Sequence, residues 1–258
     1  MIKQNFKSLL LLIHYWAPIG LGWSIALVIH TATQTPIIDS GFHLYLFSIC
    51  AAYSFDRIID SDYSNQPSWL RTTLLLGFGV STIVGFVLSI HLSAQTFSAL
   101  LLFSTMVLLY SWIKKLPFIK GLLVAVIWVW AGVALPFNNN HWFAWQFWTM
   151  KISLPMVILI ACGVILCDFK DIQADAQNGV KSLPVMLGLS RSIWLISVLL
   201  IIVAGISLAQ HRFGLFTSSL LLLILSQFPQ VLSIKALGPL IVDVTLTLPG
   251  ILIMLHWI

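Results

Sequence analysis

The chain has 258 residues, of which 59% are hydrophobic and 8% charged, with a mean hydropathy of +1.00 and a net charge of +5. That composition excludes a soluble globular domain and leaves lipid as the solvent for most of the chain, where only helices and closed barrels satisfy the backbone. Long uninterrupted apolar runs, in place of alternating segments of about ten residues, point to helices and away from a barrel.

Nine such runs predict transmembrane helices over roughly 10–30, 37–54, 72–90, 94–112, 118–136, 151–167, 192–209, 213–232 and 239–257. Together with short connections they use up the chain. The expected fold is therefore all-α: one polytopic membrane domain spanning 1–258. The opening MIKQNFKSLLLLIHYWAP has the basic flank and apolar core of a signal peptide. It lacks a small-x-small cleavage site before the apolar run continues, so the reading is a retained first span.

The sequence contains no glutamate; all eight acids are aspartates. Six fall in two segments. Asp56, Asp60 and Asp62 follow the second span, and Asp168, Asp171 and Asp175 follow the sixth. On a helix continuing from span six, Asp168, Asp171 and Asp175 at i, i+3 and i+7 share one face, as do Asp56 and Asp60 at i, i+4. Asp62 breaks that face. Like charges stacked this way repel, and a hard cation such as Mg2+ accounts for them, because it takes carboxylate oxygens while keeping positions for substrate phosphates.

At the end of span four, YSWIK places Lys114 four residues after Tyr110 and on its face. Arg57, Arg71, Lys170 and Lys181 flank the acids. Acids and bases gathered at one membrane face suit a magnesium-bridged diphosphate. Cys50, Cys162 and Cys167 form no CxxC pair and read as apolar filler. His14 and His43, within spans, read as satisfied polar groups. Asp243, inside span nine, is either a functional group in lipid or a carboxyl bonded to backbone near the mouth.

Charge sets the orientation. With the N-terminus in the cytoplasm, that side carries Lys3, Lys7, Arg57, Arg71, Lys114, Lys115, Lys120, Lys170, Lys181, Arg191 and Lys235, against Lys151 and Arg212 on the other. The bias places the C-terminus outside and the acid segments at the cytoplasmic face. The expected location is a bacterial inner (plasma) membrane.

The run Asp168-x-x-Asp171-x-x-x-Asp175-x-x-x-Gly179-x-x-Ser182-Leu183-Pro184, closing with Leu187-Gly188, resembles the second aspartate motif of the UbiA-type intramembrane prenyltransferases. The YxxxK pattern and the span count extend the resemblance over most of the chain. The first motif departs from the family's NDxxDxxxD. Asp56 and Asp60 match its last two acids, while Ala52 and Tyr53 stand in place of Asn and Asp.

The resemblance implies helices around a central cavity, with Mg2+ and diphosphate in a polar cytoplasmic mouth and the isoprenoid tail in the apolar interior. It implies metal binding by Asp56, Asp60, Asp168, Asp171 and Asp175. Lys114, Arg57, Arg71, Lys170 and Lys181 are then the diphosphate contacts, and Asp171, Asp175 and Tyr110 the catalytic residues. Gly179 and Pro184 end the acidic helix and shape the loop, and Ser182 is a cap or a catalytic hydroxyl. The expected activity is magnesium-dependent ionisation of a polyprenyl diphosphate and transfer of the prenyl group to an acceptor, aromatic in the commonest family chemistry. The alternatives are a UbiA-related terpene cyclase that needs no acceptor, a non-catalytic isoprenoid-binding relative, and a transporter, since SFDRIID resembles the DR loop of major facilitator carriers.

Overall fold

A computed structural model describes residues 2–34, 39–59, 66–90, 93–136, 148 and 150–255; the side chains of 2–12, 39, 95 and 111 also lie outside the described set. Asp60 and Asp62 therefore fall outside it, as do the side chains of Lys3 and Lys7. All regular structure among the described residues is helical.

The long helices in chain order are α1 (Ile2–Thr33), α2 (Asp39–Ile59), α3 (Ser68–Ile90), α4 (Ala94–Ile113), α5 (Ile119–Ala134) and α6 (Ser153–Cys167). A 3₁₀ turn, Asp168–Lys170, and two short helices, α7 (Ile172–Gln177) and α8 (Leu183–Leu187), follow. The chain continues as α9 (Leu189–Ala209), α10 (Phe213–Ser226), α11 (Pro229–Leu232) and α12 (Leu237–Met254). Each of the nine apolar runs overlaps a long helix. Among the described residues, four segments are long and apolar enough to cross a membrane: Ser68–Ile90, Ser153–Lys170, Leu189–Ala209 and Leu237–Met254.

Two boundaries differ from expectation. The eighth run stops at Ser226, and Pro229 restarts the chain as α11, because proline disfavours helical backbone in the residue before it. In the other direction, α2 runs on to Ile59, beyond the expected end of the span near residue 54, so Asp56 and Arg57 lie in its last turn.

The helices close into a ring. Neighbours pack in the order α1, α2, α4, α5, α6, α9, α10, α12, with α12 returning to α1 and α3 lying on α2. Two apolar cores result. One joins α1, α5, α6, α9, α10 and α12 around Val129, Leu159, Leu166, Leu200 and Val242; the other joins α1, α2, α4 and α5 around Ala26, Leu44, Tyr45 and Phe103. Outside the ring, α3 turns Leu76, Ile83, Phe86 and Ile90 outward, as a lipid-facing helix does.

Without a hydrophobic drive between helices in lipid, association relies on close packing at small residues. Gly250 of α12 lies directly against Ser24 of α1: a Cβ there would sit 2.7 Å from the Ser24 Cα, and the Gly250 N–H donates to Ser24 Oγ at 2.9 Å. The same hydroxyl donates to the Leu246 carbonyl at 3.3 Å. Gly121 leaves room for the Ile165 side chain and Gly163 for that of Leu246, which draws α5 and α12 onto α6.

Candidate active site

One end of the ring gathers the polar groups that its apolar walls cannot solvate. Asp56 and Arg57 come from the last turn of α2, and Tyr110 and Lys114 from the end of α4. Lys120 comes from the first turn of α5, Asp168, Lys170 and Asp171 from the turn after α6, and Asp175 from α7.

The acid motif does not continue α6 as one helix. Asp168–Lys170 tightens to a 3₁₀ turn, and Asp171, at φ −109° and ψ 5°, leaves helical geometry before α7 begins. The three acids consequently do not share a single face. Asp168 and Asp175 are buried and converge on the Lys120 ammonium, at 2.8 Å to Asp168 Oδ1 and 3.1 Å to Asp175 Oδ2. Asp171 is more exposed and pairs with its neighbour Lys170 at 2.6 Å.

The rest of the motif is a sequence of backbone devices. Gly179, at φ +70°, terminates α7, with the Val180 N–H donating to the Asp175 carbonyl at 2.8 Å and the Gly179 N–H to the Ala176 carbonyl at 3.4 Å. That is the Schellman pattern, whose left-handed position favours glycine. Ser182 occupies the N-cap of α8 with Pro184 just inside it, but its hydroxyl makes no cap bond; it is buried without a hydrogen-bond partner among the described residues.

A second contact fixes the loop between α4 and α5 to this motif. The Phe118 N–H donates to the Lys181 carbonyl at 3.3 Å, with Phe118 itself at φ +62°. A left-handed conformation costs a non-glycine residue about 1–2 kcal/mol, and the surrounding structure holds it there. The contact anchors the chain two residues before Lys120.

Lys114 stays on the Tyr110 face as its spacing predicts, with Nζ 5.5 Å from the ring centroid. The Tyr110 hydroxyl is within electrostatic reach of Asp56 as well as of Lys120, Asp168 and Asp175, so this tyrosine links the two acid segments. Arg57 turns elsewhere. It donates to the Tyr53 hydroxyl at 3.0 Å and lies over the rings of Tyr53 and Tyr15, at 4.9 and 6.0 Å. Tyr53, which stands where the family motif carries its first aspartate, thus engages the neighbouring guanidinium. Asp243 joins this second group, within electrostatic reach of Arg57 and Lys170, as does the buried His14.

Arg71 and Lys181 are not brought into ion pairs with acids among the described residues; Lys181 is exposed and contributes its carbonyl instead. Lys120 is the site residue that the sequence reading passed over. Its signal was present, as the sole charged side chain in the helix IKGLLVAVIWVWAGVA.

No three His, Cys or Asp side chains among the described residues converge into a self-sufficient metal cage. The donor set still fits a magnesium ion. Mg2+ is ordinarily held by one or two carboxylates together with waters and substrate phosphates, and Asp168 and Asp175 offer two hard oxygen donors within reach of one cation.

The fold is thus that of an intramembrane protein, a ring of apolar helices with acids, lysines and a tyrosine gathered at one end. A profile of the UbiA prenyltransferase family matches residues 46–237, and the chain belongs to that family of integral membrane proteins. The apo structure of a UbiA homologue from Aeropyrum pernix K1 superposes with a TM-score of 0.70 at 13% identity, covering 93% of this chain and 98% of the other. A UbiA homologue from Archaeoglobus fulgidus does so at 0.56 and 16%, over 96% and 99% of the two chains. Its structure bound to DMAPP and Mg2+ gives 0.55 and 15%, over 95% and 97%. At these identities the likeness is one of fold. No curated protein matches the sequence.

Proposed function

We propose that this protein is a magnesium-dependent intramembrane prenyltransferase that ionises a polyprenyl diphosphate and passes the prenyl group to an acceptor, aromatic by preference. The observation that carries the reading is the convergence of Asp168 and Asp175 on one cation beside Tyr110 and Lys114, in a family member whose structural relative binds DMAPP and Mg2+.

In this reading Asp168, Asp171 and Asp175, with Asp56 and Asp60 of the first acid segment, present carboxylate oxygens for metal. Mg2+, when bound, supplies Lewis-acid stabilisation of the leaving diphosphate. Lys114 donates charge-assisted hydrogen bonds to phosphate oxygens, with Lys170, Lys181, Arg57 and Arg71 adding positive charge around the mouth. Tyr110 presents its ring face to the positive charge that develops on the allylic carbon. The apolar walls of the two cores hold the tail and keep water from the cation. The chain acts as a single domain over 1–258, crossing the membrane nine times with its N-terminus in the cytoplasm and its C-terminus outside, in a bacterial inner membrane.

The test is a liposome assay with Mg2+, prenyl diphosphates of several lengths and an acceptor panel, read as diphosphate release. Release that requires both Mg2+ and acceptor is the expected result. Release without acceptor, accompanied by hydrocarbon, would identify a cyclase; no release under any condition would overturn the reading.

A further inference from the structure

We propose that Lys120 is a resident counter-cation: its ammonium holds Asp168 and Asp175 together while the site is empty, gives way to the divalent metal, and then turns to the diphosphate. The inference rests on the prenyltransferase reading above.

Asp168 and Asp175 approach each other in surroundings where an unpaired carboxylate is costly. Lys120 neutralises both at once, with side-chain exposures of 12% for the lysine and 7% and 12% for the two acids. The oxygens it occupies are the ones a metal needs. Mg2+ binds carboxylate oxygen at about 2.0–2.1 Å in near-octahedral geometry, and an ammonium at hydrogen-bond distance from the same atoms stands in its way. Metal and lysine therefore compete.

Lysine suits a cation that has to leave. Its charge is a compact point on a flexible four-carbon stem, without the planar fork that locks arginine onto a carboxylate. Its root is fixed, because the Phe118–Lys181 contact anchors the chain two residues earlier, so the displaced ammonium stays at the mouth. Tyr110 lies within its electrostatic reach, and Lys114 stands over that ring. The Lys170–Asp171 pair is different in kind. Its members are adjacent in sequence, and the Asp171 side chain is 34% exposed, so it joins no distant elements.

The experiment measures Mn2+ binding by the loss of the free-ion paramagnetic resonance signal, using the purified full-length protein in nanodiscs. Pyrophosphate binding is then measured at saturating Mn2+. Lys120→Met is expected to bind Mn2+ about ten- to a hundredfold more tightly than wild type, the equivalent of one charge-assisted hydrogen bond, yet to bind pyrophosphate more weakly. Lys120→Arg, whose fork grips both carboxylates, should bind Mn2+ more weakly than wild type. Lys114→Met should weaken pyrophosphate binding alone. A purely structural lysine would not move the two affinities in opposite directions. Unchanged Mn2+ affinity in both Lys120 variants overturns the proposal and leaves the prenyltransferase reading standing; if Lys120→Met does not fold, the arginine variant decides alone. Failure of every variant and the wild type to bind Mn2+ overturns both.

Discussion

The ammonium of Lys114 lies 5.5 Å from the centre of the Tyr110 ring, while Lys115, the next residue, is exposed on another side of the chain. Adjacent lysines of equal charge thus have different surroundings. If Lys114 contacts the diphosphate, Lys114→Ala lowers kcat/KM by about 1.5–3 kcal/mol of transition-state binding, and Lys115→Ala has a milder effect. Equal losses in a side-by-side kinetic comparison would show that only total charge at this face matters.

The three motif aspartates divide into two structural kinds, and replacement by asparagine should separate them. If the proposed metal role holds, all three changes slow Mg2+-dependent diphosphate release on the order of a hundredfold, because each removes a carboxylate donor. Stability behaves differently. Asp168→Asn and Asp175→Asn deprive the buried Lys120 of one carboxylate and cost about 1–3 kcal/mol, whereas Asp171→Asn, at a more exposed pair, costs little. Thermal melting in detergent reads the second difference. Full activity with an unaltered Mg2+ requirement in Asp171→Asn would falsify the metal role proposed for that residue.

Gly250 and Gly205 offer a matched pair of Gly→Ala changes within helices. At Gly250 the added methyl group meets the Ser24 backbone, so the ring must open slightly, at a cost of about 1–3 kcal/mol. At Gly205 nothing lies within 4 Å, and alanine gains up to about 1 kcal/mol of helix propensity. Melting temperatures should move in opposite directions; parallel shifts would count against the close α1–α12 contact.

Gly179 tests conformation without crowding, because a Cβ there would touch nothing while φ is +70°. Gly179→Asn is expected to be tolerated. Gly179→Val should cost about 1–2 kcal/mol and, by distorting the end of α7, displace Asp175 and lower activity. Equal stability and turnover in the two variants would remove the left-handed turn from the account.

For orientation, Asn178→Cys on a background lacking Cys50, Cys162 and Cys167 places a label on an exposed position of the acid loop. The expected outcome is no reaction with an impermeant reagent outside intact cells, and ready reaction once the membrane is opened. Labelling from outside would reverse the topology.

Much of this was legible in the sequence because it is local. Apolar runs mark helices, the Tyr110–Lys114 spacing fixes a shared face, and Gly179 announces a turn. What stayed hidden depends on tertiary placement. The i, i+3, i+7 spacing of the acids assumes an unbroken α-helix, and the 3₁₀ turn at Asp168–Lys170 redirects Asp171 towards Lys170. Lys120 is 48 residues before Asp168 and 55 before Asp175, so no spacing rule could pair them, although its isolation in an apolar helix marked it as unusual. Arg57 lies four residues after Tyr53 on α2, a spacing the sequence displays, but its second aromatic neighbour, Tyr15, lies on α1 and becomes visible only once those helices pack.

The hydrogen bond from Gly250 to Ser24 joins residues 226 apart in sequence, and it has a consequence for how the protein is made. A ribosome delivers α1 to the bilayer long before α12 exists. Until α12 arrives, the Ser24 face of α1 lacks the helix it packs against. Asp243 enters with that helix. In the folded chain it lies within electrostatic reach of Arg57 and Lys170. An arrested nascent chain that stops short of α12 thus carries every motif aspartate yet lacks the helix that closes the ring.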